Sequence, residues 1–197
     1  MSNFTKLDLN FDVSKLKEFL LSCDLWDKYP QRRIAEGTPH SQMTDIWVRY
    51  KNPEECIKTG DWSAFTQPHK SEWLEDLPQV KDICSQLMRY LDGEALGGVL
   101  ITKLPAGGVI DPHTDAGWHA EYYDKYFVPI SNCKGAKFFF DDGEIEPREG
   151  ECYAFRNDVN HWVENNSQED RIAMIVCIKQ SKLTKGGGLC RGQQQPQ

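Results

Sequence analysis

The second half of the chain is a series of short β-prone segments, and this pattern constrains the fold most. From Gly98 to Lys179, runs rich in β-branched and aromatic residues alternate with glycine, proline, asparagine and aspartate. The runs are GVLITKL, GVIDPH, YFVPIS, AKFFFD, GEIEP, ECYAF, HWVEN and RIAMIVCIK. Short, regularly spaced strands with such turns indicate an antiparallel sandwich or barrel. The sequence therefore predicts a mainly β fold with flanking helices, of the jelly-roll type.

The first half of the chain is mixed and is expected to supply those helices. Apolar residues recur at helical spacing over residues 12–23, which predicts an amphipathic helix. A second such stripe begins near Pro78 and ends just before Gly93, an arrangement typical of a helix start and stop. Residues 31–41 are polar and predict a loop, whereas residues 44–50 (TDIWVRY) predict a strand.

One domain accounts for this whole pattern, since we find neither an internal repeat nor a linker. A chain of 197 residues can bury a core without disulfide bonds. We predict a single domain over residues 1–182, in which a mixed part (1–97) packs on a jelly-roll core (98–182). Residues 183–197 are rich in glycine and glutamine and are predicted to form a flexible tail.

Composition narrows the cellular setting and the partners. The net charge of −7 argues against a broad grip on nucleic acid, which requires a basic surface. Seven cysteines, an odd number without a C-x-x-C pair, argue against a disulfide framework or a zinc ribbon. We see no secretory signal and no membrane-spanning apolar stretch. We therefore expect a cytoplasmic protein, whose oligomeric state the sequence leaves open.

A metal site is predicted from the motif D-P-H-T-D at residues 111–115. Residues two apart on an extended strand share a face, so His113 and Asp115 can bind one metal together. His161 is the strongest candidate for the third ligand among the five histidines. Two imidazoles and one carboxylate form the facial triad typical of non-heme Fe(II) oxygenases, which leaves about three positions for a chelating 2-oxo acid and dioxygen. The competing interpretation is a chance H-x-D pair on the surface.

Arg171 is predicted to anchor the 2-oxo acid. It starts the run RIAMIVCIK, ten residues after His161. In an antiparallel sheet the strands bearing His161 and Arg171 are expected to be hairpin neighbours, which would direct the guanidinium into the metal cavity. A guanidinium binds a carboxylate in bidentate fashion. The alternative is a surface arginine at a strand start.

The segment at residues 116–127 (AGWHAEYYDKYF) follows the metal motif directly and is aromatic. Such loops often determine specificity on a rigid scaffold, so Trp118 and His119 are candidate substrate contacts. Ordinary packing of the aromatic residues is the alternative. A basic cluster of Lys28, Arg32 and Arg33 is interpreted as a solvated face.

Several segments of the second half resemble one enzyme superfamily. They are TKLPAGGVIDPHTD (102–115), FVPI (127–130), GECYAF (150–155), HWVEN (161–165) and RI (171–172). The stretch is similar to the 2-oxoglutarate and Fe(II)-dependent dioxygenases, and most closely to their aspartyl/asparaginyl β-hydroxylase-like branch. The resemblance implies a double-stranded β-helix, which is a cupin-like jelly roll, with Fe(II), 2-oxoglutarate and dioxygen as its cofactor and co-substrates.

The resemblance also implies roles for individual residues. The three metal ligands and the anchor Arg171 keep the roles given above. Thr102 matches a hydroxyl position that supports the same carboxylate of 2-oxoglutarate, and Lys125 falls where the branch has a basic residue near the co-substrate. Phe127 stands where the branch usually has a second co-substrate-binding histidine, so that contact is expected to be lost. Asp115 departs from the best-known members, which lack this carboxylate, and it argues against a halogenase.

The expected reaction is hydroxylation of a C–H bond in an amino-acid side chain, free or within a peptide or protein, with release of succinate and carbon dioxide. No separate protein acid or base is required. One alternative is a non-catalytic cupin-like module that binds a metal or small molecule, which Arg171 and Thr102 disfavour. Another is a nucleobase-oxidising dioxygenase, which would require a basic groove beside the iron.

Overall fold

Two antiparallel β-sheets stack face to face in the computed structural model, which describes residues 2–50, 58–60, 72–75, 77–131 and 134–180. The strands are β1 (Phe4–Asn10), β2 (Thr44–Tyr50), β3 (Glu72–Trp73), β4 (Gly93–Leu104), β5 (Val109–His113), β6 (Asp124–Pro129), β7 (Ala136–Phe140), β8 (Gly143–Ile145), β9 (Glu151–Phe155), β10 (His161–Asn165) and β11 (Arg171–Gln180). The helices are α1 (Ser14–Ser22), α2 (Gln31–Ile34), α3 (Pro78–Leu91) and α4 (Trp118–Tyr122).

The strand order confirms the predicted fold class. The large sheet has seven strands in the order β1-β9-β6-β11-β4-β2-β3, and the small sheet has four in the order β5-β10-β7-β8. All pairings among the described strands are antiparallel. Each β-prone run of the second half forms a strand, and the arrangement is a jelly-roll sandwich.

Apolar residues form two separate clusters, one on each side of the large sheet. The outer cluster joins that sheet to α1 and α3, and the inner cluster fills the space between the two sheets. The predicted apolar stripe of α3 is buried as expected, with Val80 and Leu87 fully inaccessible. The helix ends at Leu91, just before the predicted stop at Gly93. The residue with a left-handed backbone is Asp92 (φ 49°) and not Gly93, which already belongs to β4.

The N-terminal part differs from the prediction in two places. Residues 4–10 form an edge strand that pairs with β9, and this strand was not predicted. A signal for it exists, since Leu7, Leu9 and Phe11 alternate with polar residues, a period of two. The predicted loop at residues 31–41 also contains the short helix α2.

The expected hairpin between the strands of His161 and Arg171 is wrong. β10 pairs with β5 and β7 in the small sheet, whereas β11 pairs with β4 and β6 in the large sheet. The chain therefore crosses from one sheet to the other between these strands. Asn165 stabilises the crossing, because its side-chain amide donates to the carbonyl oxygens of Leu104 (3.0 Å), Pro105 (2.9 Å) and Glu169 (2.8 Å).

The predicted tail at residues 183–197 lies outside the described residues. The domain boundaries accordingly stay a prediction. Within the described part, Cys23, Cys84, Cys152 and Cys177 are free thiols. No helix in that part combines the length and apolar character needed to cross a membrane.

Candidate metal centre

A cavity of about 210 Å³ lies between the two sheets. One wall is the inner face of the large sheet, where side chains two apart on a strand point the same way. Arg171, Ile175 and Cys177 line the cavity from β11. Thr102 on β4 and Lys125 on β6 continue this wall, since they pair with residues of the same face of β11. The predicted co-substrate residues therefore share one cavity.

The three predicted metal ligands meet at the edge of this cavity. His113 at the end of β5 and His161 at the start of β10 are direct partners across the small sheet, with ring centroids 4.4 Å apart. His113 Nε2 lies 4.0 Å from Oδ1 of Asp115. One donor atom from each of the three side chains lies within 4.8 Å of the others. Metal–ligand bonds of about 2.1 Å place donors roughly 3–4 Å apart, so this cluster is close to a metal-binding geometry.

Each histidine is fixed by a hydrogen bond at its other ring nitrogen. Nδ1 of His113 is 2.7 Å from the carbonyl oxygen of Asp111, and Nδ1 of His161 is 2.8 Å from that of Val159. A carbonyl oxygen only accepts, so Nδ1 donates and the Nε2 lone pair is available to a metal. Burial lowers the pKa of both imidazoles, which favours the neutral form that binds a metal.

Asp115 differs from the prediction in its local structure, since it lies beyond the end of β5 and not on the strand itself. Its backbone N–H donates to the carbonyl oxygen of Asn157 (2.8 Å), which positions the residue. Its carboxylate accepts a hydrogen bond from Lys125 Nζ. Burial alone would raise the pKa of this carboxyl, but the charge and hydrogen bond of Lys125, together with His161 and His113, hold the pKa below its usual value.

The donor set fits a divalent iron-type metal. Two neutral imidazoles and one ionised carboxylate are the ligands of the facial triad, and three protein ligands leave about three positions open. A structural zinc site would instead present four protein ligands, typically with cysteine among them. Cys177 lines the cavity, but burial raises the pKa of its thiol to about 11, so it remains protonated. Among the described residues, His113, Asp115 and His161 are the one group with metal-ligand spacing.

Arg171 lies deep in the cavity wall, where it is 3% exposed. Its guanidinium carbon lies 5.1 Å from the ring centre of Phe127, which supports the cation from one side. Thr102 is also buried, and its hydroxyl lies 3.4 Å from the carbonyl oxygen of Ala173. The buried cation contradicts the alternative of a surface arginine.

Lys125 and Arg171 line different ends of the cavity. Lys125 pairs across the sheet with Cys177, six residues along β11 from Arg171. That separation corresponds to about 20 Å along the strand. Lys125 therefore lies at the metal end, beside Asp115, and Arg171 lies at the other end.

Sequence reasoning missed a group of N-terminal residues that line the same cavity. Arg32 reaches into it from α2 and forms a salt bridge with Asp45 (3.3 Å), which is 4% exposed. Nη2 of Arg32 also lies 2.9 Å from Nε2 of His40, whose ring packs edge-on against His113 with centroids 4.9 Å apart. The predicted solvated face is therefore wrong for Arg32. Asp45 was the available signal, since an acid on a buried strand requires a partner.

The aromatic segment after the metal motif forms the short helix α4. His119 lines the cavity, whereas Trp118 is 42% exposed and packs against the His119 ring with centroids 5.5 Å apart. Asn157 links this helix to the metal motif, since its Nδ2 donates to the carbonyl oxygen of Ala120 (3.1 Å). Of the two candidate substrate contacts, the structure thus brings His119 into the cavity and leaves Trp118 at the surface.

Comparison with known families identifies the protein class. The sequence profile of the aspartyl/asparaginyl beta-hydroxylase family matches residues 35–181. The chain belongs to this family. It is accordingly a hydroxylase of the 2-oxoglutarate and Fe(II) oxygenase type, with Fe(II), 2-oxoglutarate and dioxygen as cofactor and co-substrates. No curated protein sequence matches the chain.

Solved structures of this type share the fold at low sequence identity. The viral collagen prolyl hydroxylase vCPH from Paramecium Bursaria Chlorella virus-1, in complex with 2OG, superimposes with a TM-score of 0.54 at 12% identity, over 92% of this chain and 97% of that one. An oxidoreductase of the 2OG-Fe(II) oxygenase family from Burkholderia pseudomallei gives a TM-score of 0.57 at 12% identity, over 90% and 84% of the two chains. These likenesses support the jelly-roll fold of this family member.

Proposed function

We propose that this family member hydroxylates a C–H bond of an amino-acid side chain, either free or within a peptide or protein. The observation that carries the proposal is the clustering of His113, Asp115 and His161 donor atoms within 4.8 Å, at a cavity that also contains a buried arginine. A metal-binding module alone has no need for a buried cation at the far end of the cavity. The family supports hydroxylation, and the amino-acid substrate is our extension of it.

In this proposal the three clustered side chains hold Fe(II). When bound, the iron and 2-oxoglutarate supply oxidative chemistry in which one atom of dioxygen enters a substrate C–H bond to give C–OH, and the other enters succinate as carbon dioxide is lost. The protein orients the donors through the carbonyl oxygens of Asp111 and Val159.

Arg171 is assigned to the distal carboxylate of 2-oxoglutarate. A guanidinium offers two parallel N–H donors to a carboxylate, and a low-dielectric site strengthens such a pair. Thr102 lies on β4 and pairs with Ala173, which is two residues along β11 from Arg171. It is assigned a supporting hydrogen bond to the same carboxylate. Phe127 has no hydrogen-bonding side-chain atom, so it contributes a ring face beneath Arg171 in place of the histidine contact expected for this branch.

His119 and Trp118 are assigned to the substrate side of the site. Both lie on α4, which starts three residues after Asp115. Nε2 of His119 is buried without a hydrogen-bond partner among the described residues, which leaves it available to a substrate polar group. Trp118 offers an exposed aromatic surface next to it.

The charge distribution disfavours a nucleobase substrate. A nucleic-acid oxidase requires a positive groove beside the metal. Among the described residues at the cavity, Arg32 is paired with Asp45 and Lys125 with Asp115, so these two cations are neutralised by carboxylates.

Succinate release across a panel of substrates tests the proposal. The protein, supplied with Fe(II), 2-oxoglutarate and air, is incubated with the 20 protein amino acids, with a peptide library and with oligonucleotides, and succinate is measured for each. We expect one substrate class to stimulate succinate formation together with a mass gain of one oxygen atom. Stimulation by oligonucleotides alone would contradict the proposal, and so would a folded, iron-loaded protein that forms no succinate with any substrate.

A further inference from the structure

The two carboxylate oxygens of Asp115 face different groups. Oδ2 accepts a hydrogen bond from Lys125 Nζ. Oδ1 lies on the side of the histidines, 4.0 Å from Nε2 of His113. The side chains of Asp115 and Lys125 are 18% and 16% exposed, so this ion pair lies largely out of water. The carboxylate therefore presents one oxygen to the metal position and the other to a fixed cation.

Lys125 is fixed by its place in the large sheet. It is an inward-facing residue of β6, with Phe155 of β9 as its neighbour on one side and Cys177 of β11 on the other. All three residues line the same cavity. Neighbouring side chains on both sides restrict the rotamers of the lysine, so its ammonium group stays directed at Asp115.

The number of oxygens that Asp115 donates determines how many metal positions stay open. Carboxylates bind metals through one oxygen or through both. A facial triad leaves about three positions only if each protein ligand occupies one, and a chelating 2-oxo acid together with dioxygen needs all three. If both oxygens of Asp115 bound, about two positions would remain, which suffices for the 2-oxo acid but not for dioxygen as well.

We propose that Lys125 is a positioning residue that holds Oδ2 of Asp115 and thereby keeps this carboxylate a one-oxygen metal ligand. The inference rests on the proposed function, since it requires a metal at the triad. It differs from a role on the distal carboxylate of 2-oxoglutarate, because Lys125 Nζ is bound to Asp115 and the pairing partner of Lys125, Cys177, lies about 20 Å along the β11 backbone from Arg171. Lys125 thus acts through Asp115, at the metal end of the cavity.

The test counts water molecules on a bound metal in the absence of any 2-oxo acid. Mn(II) is added to the protein, and the longitudinal relaxation of water protons reports how many exchangeable waters the ion carries. We compare the wild type with Lys125→Met, which has a similar shape but no donor, and with Lys125→Arg, which keeps both charge and donor. Circular dichroism and thermal unfolding check that each variant is folded.

For Lys125→Met we expect the water count to fall from about three to about two, so that the relaxation enhancement drops by about a third. Mn(II) affinity should not fall, because a positive charge near the cation has been removed. Lys125→Arg should match the wild type. An unchanged water count in folded Lys125→Met would overturn the inference, and so would loss of Mn(II) binding.

The same experiment separates the inference from the proposed function. If wild-type protein binds Mn(II) with about three waters and Lys125→Met does the same, the metal centre stands and only the role of Lys125 fails. If folded wild-type protein binds no Mn(II), the metal centre of the proposed function fails first, and the inference falls with it.

Discussion

At the scale of single residues, the two histidines of the metal centre are oriented by the same local device. Each donates from Nδ1 to the carbonyl oxygen two residues earlier in the chain, Asp111 for His113 and Val159 for His161. Such bonds at the outer nitrogen fix the ring orientation and the tautomer of metal-binding histidines. The donor atoms are thus arranged by the backbone before any metal arrives.

Replacement of a metal ligand should abolish activity. Asp115→Ala removes the carboxylate of the triad, so we expect metal affinity to fall and substrate-dependent succinate formation to drop by at least about 100-fold. Asp111→Ala is the matched control, because its exposed side chain is removed while the carbonyl that binds His113 remains. Equal activity in the two variants would remove Asp115 from the triad.

Replacement of Arg171 should affect the requirement for 2-oxoglutarate. Arg171→Lys keeps a charge but loses the planar pair of donors, so we expect the apparent KM for 2-oxoglutarate to rise by about 10-fold or more. Steady-state succinate assays measure this, with Arg156→Lys as control, since Arg156 pairs with Asp158 at the exposed surface. A KM that stays the same in Arg171→Lys would move the anchor elsewhere.

Sequence reasoning found the site residues that belong to one short motif. It missed those that reach the site only through contacts with distant parts of the chain. His113 and Asp115 belong to one five-residue motif, so their partnership is readable from the sequence. Arg32 and His40 have no such motif, because the contacts that bring them to the metal centre depend on a buried acid, Asp45, and on His113 in the other half of the chain.

At the scale of elements, the chain crosses from the small sheet to the large sheet between β10 and β11. This crossing brings the metal ligand His161 and the predicted co-substrate anchor Arg171 to one cavity. The two strands belong to different sheets, and the side chains of His161 and Arg171 both line the cavity between these sheets. The β-prone composition of each run, bounded by turn residues, predicted both strands. It could not predict which sheet each strand joins, because pairing partners are set by packing across the molecule.

The side chain that stabilises this crossing should contribute strongly to stability. Asn165 is fully buried, and Asn165→Ala removes three hydrogen bonds to main-chain carbonyl oxygens. We expect the free energy of unfolding to fall by about 3 kcal/mol, measured by urea denaturation. The neighbouring Asn166 is exposed, so Asn166→Ala should change it by less than about 0.5 kcal/mol. Similar small losses in both variants would contradict this role.

At the scale of the whole molecule, the metal centre lies at a cavity between the two sheets of the jelly roll. The sheets form two walls, and α1 and α3 pack on the outer face of the large sheet. Segments outside the sheets contribute the remaining lining, through Arg32 and His40 before β2 and His119 after β5. Consequently four buried or half-buried histidines surround the cavity: His40, His113, His119 and His161.

This arrangement predicts loss of stability in acid for the metal-free protein. Burial lowers the pKa of all four histidines, that of His119 to about 4, whereas an unfolded histidine has a pKa of about 6.5. Between these values the unfolded chain binds more protons, so the free energy of unfolding falls as the pH drops below about 6.5. For His119 this contribution is lost between about pH 6.5 and pH 4.

Urea denaturation at pH 7, 6 and 5 measures the effect. Each histidine that is neutral when folded contributes a slope of up to about 1.4 kcal/mol per pH unit. His119→Gln removes one titrating group and should show a shallower slope than the wild type. An identical slope in His119→Gln would contradict the assignment of a lowered pKa to this residue.

The central claim is that one cavity binds Fe(II) and 2-oxoglutarate together. Anaerobic titration of the Fe(II)-loaded protein with 2-oxoglutarate tests it most directly, because chelation of ferrous iron by a 2-oxo acid produces a weak visible charge-transfer band. We predict that the band appears in the wild type, is absent in Asp115→Ala, and requires more 2-oxoglutarate in Arg171→Lys. A folded, iron-loaded wild type that never develops the band would contradict the account.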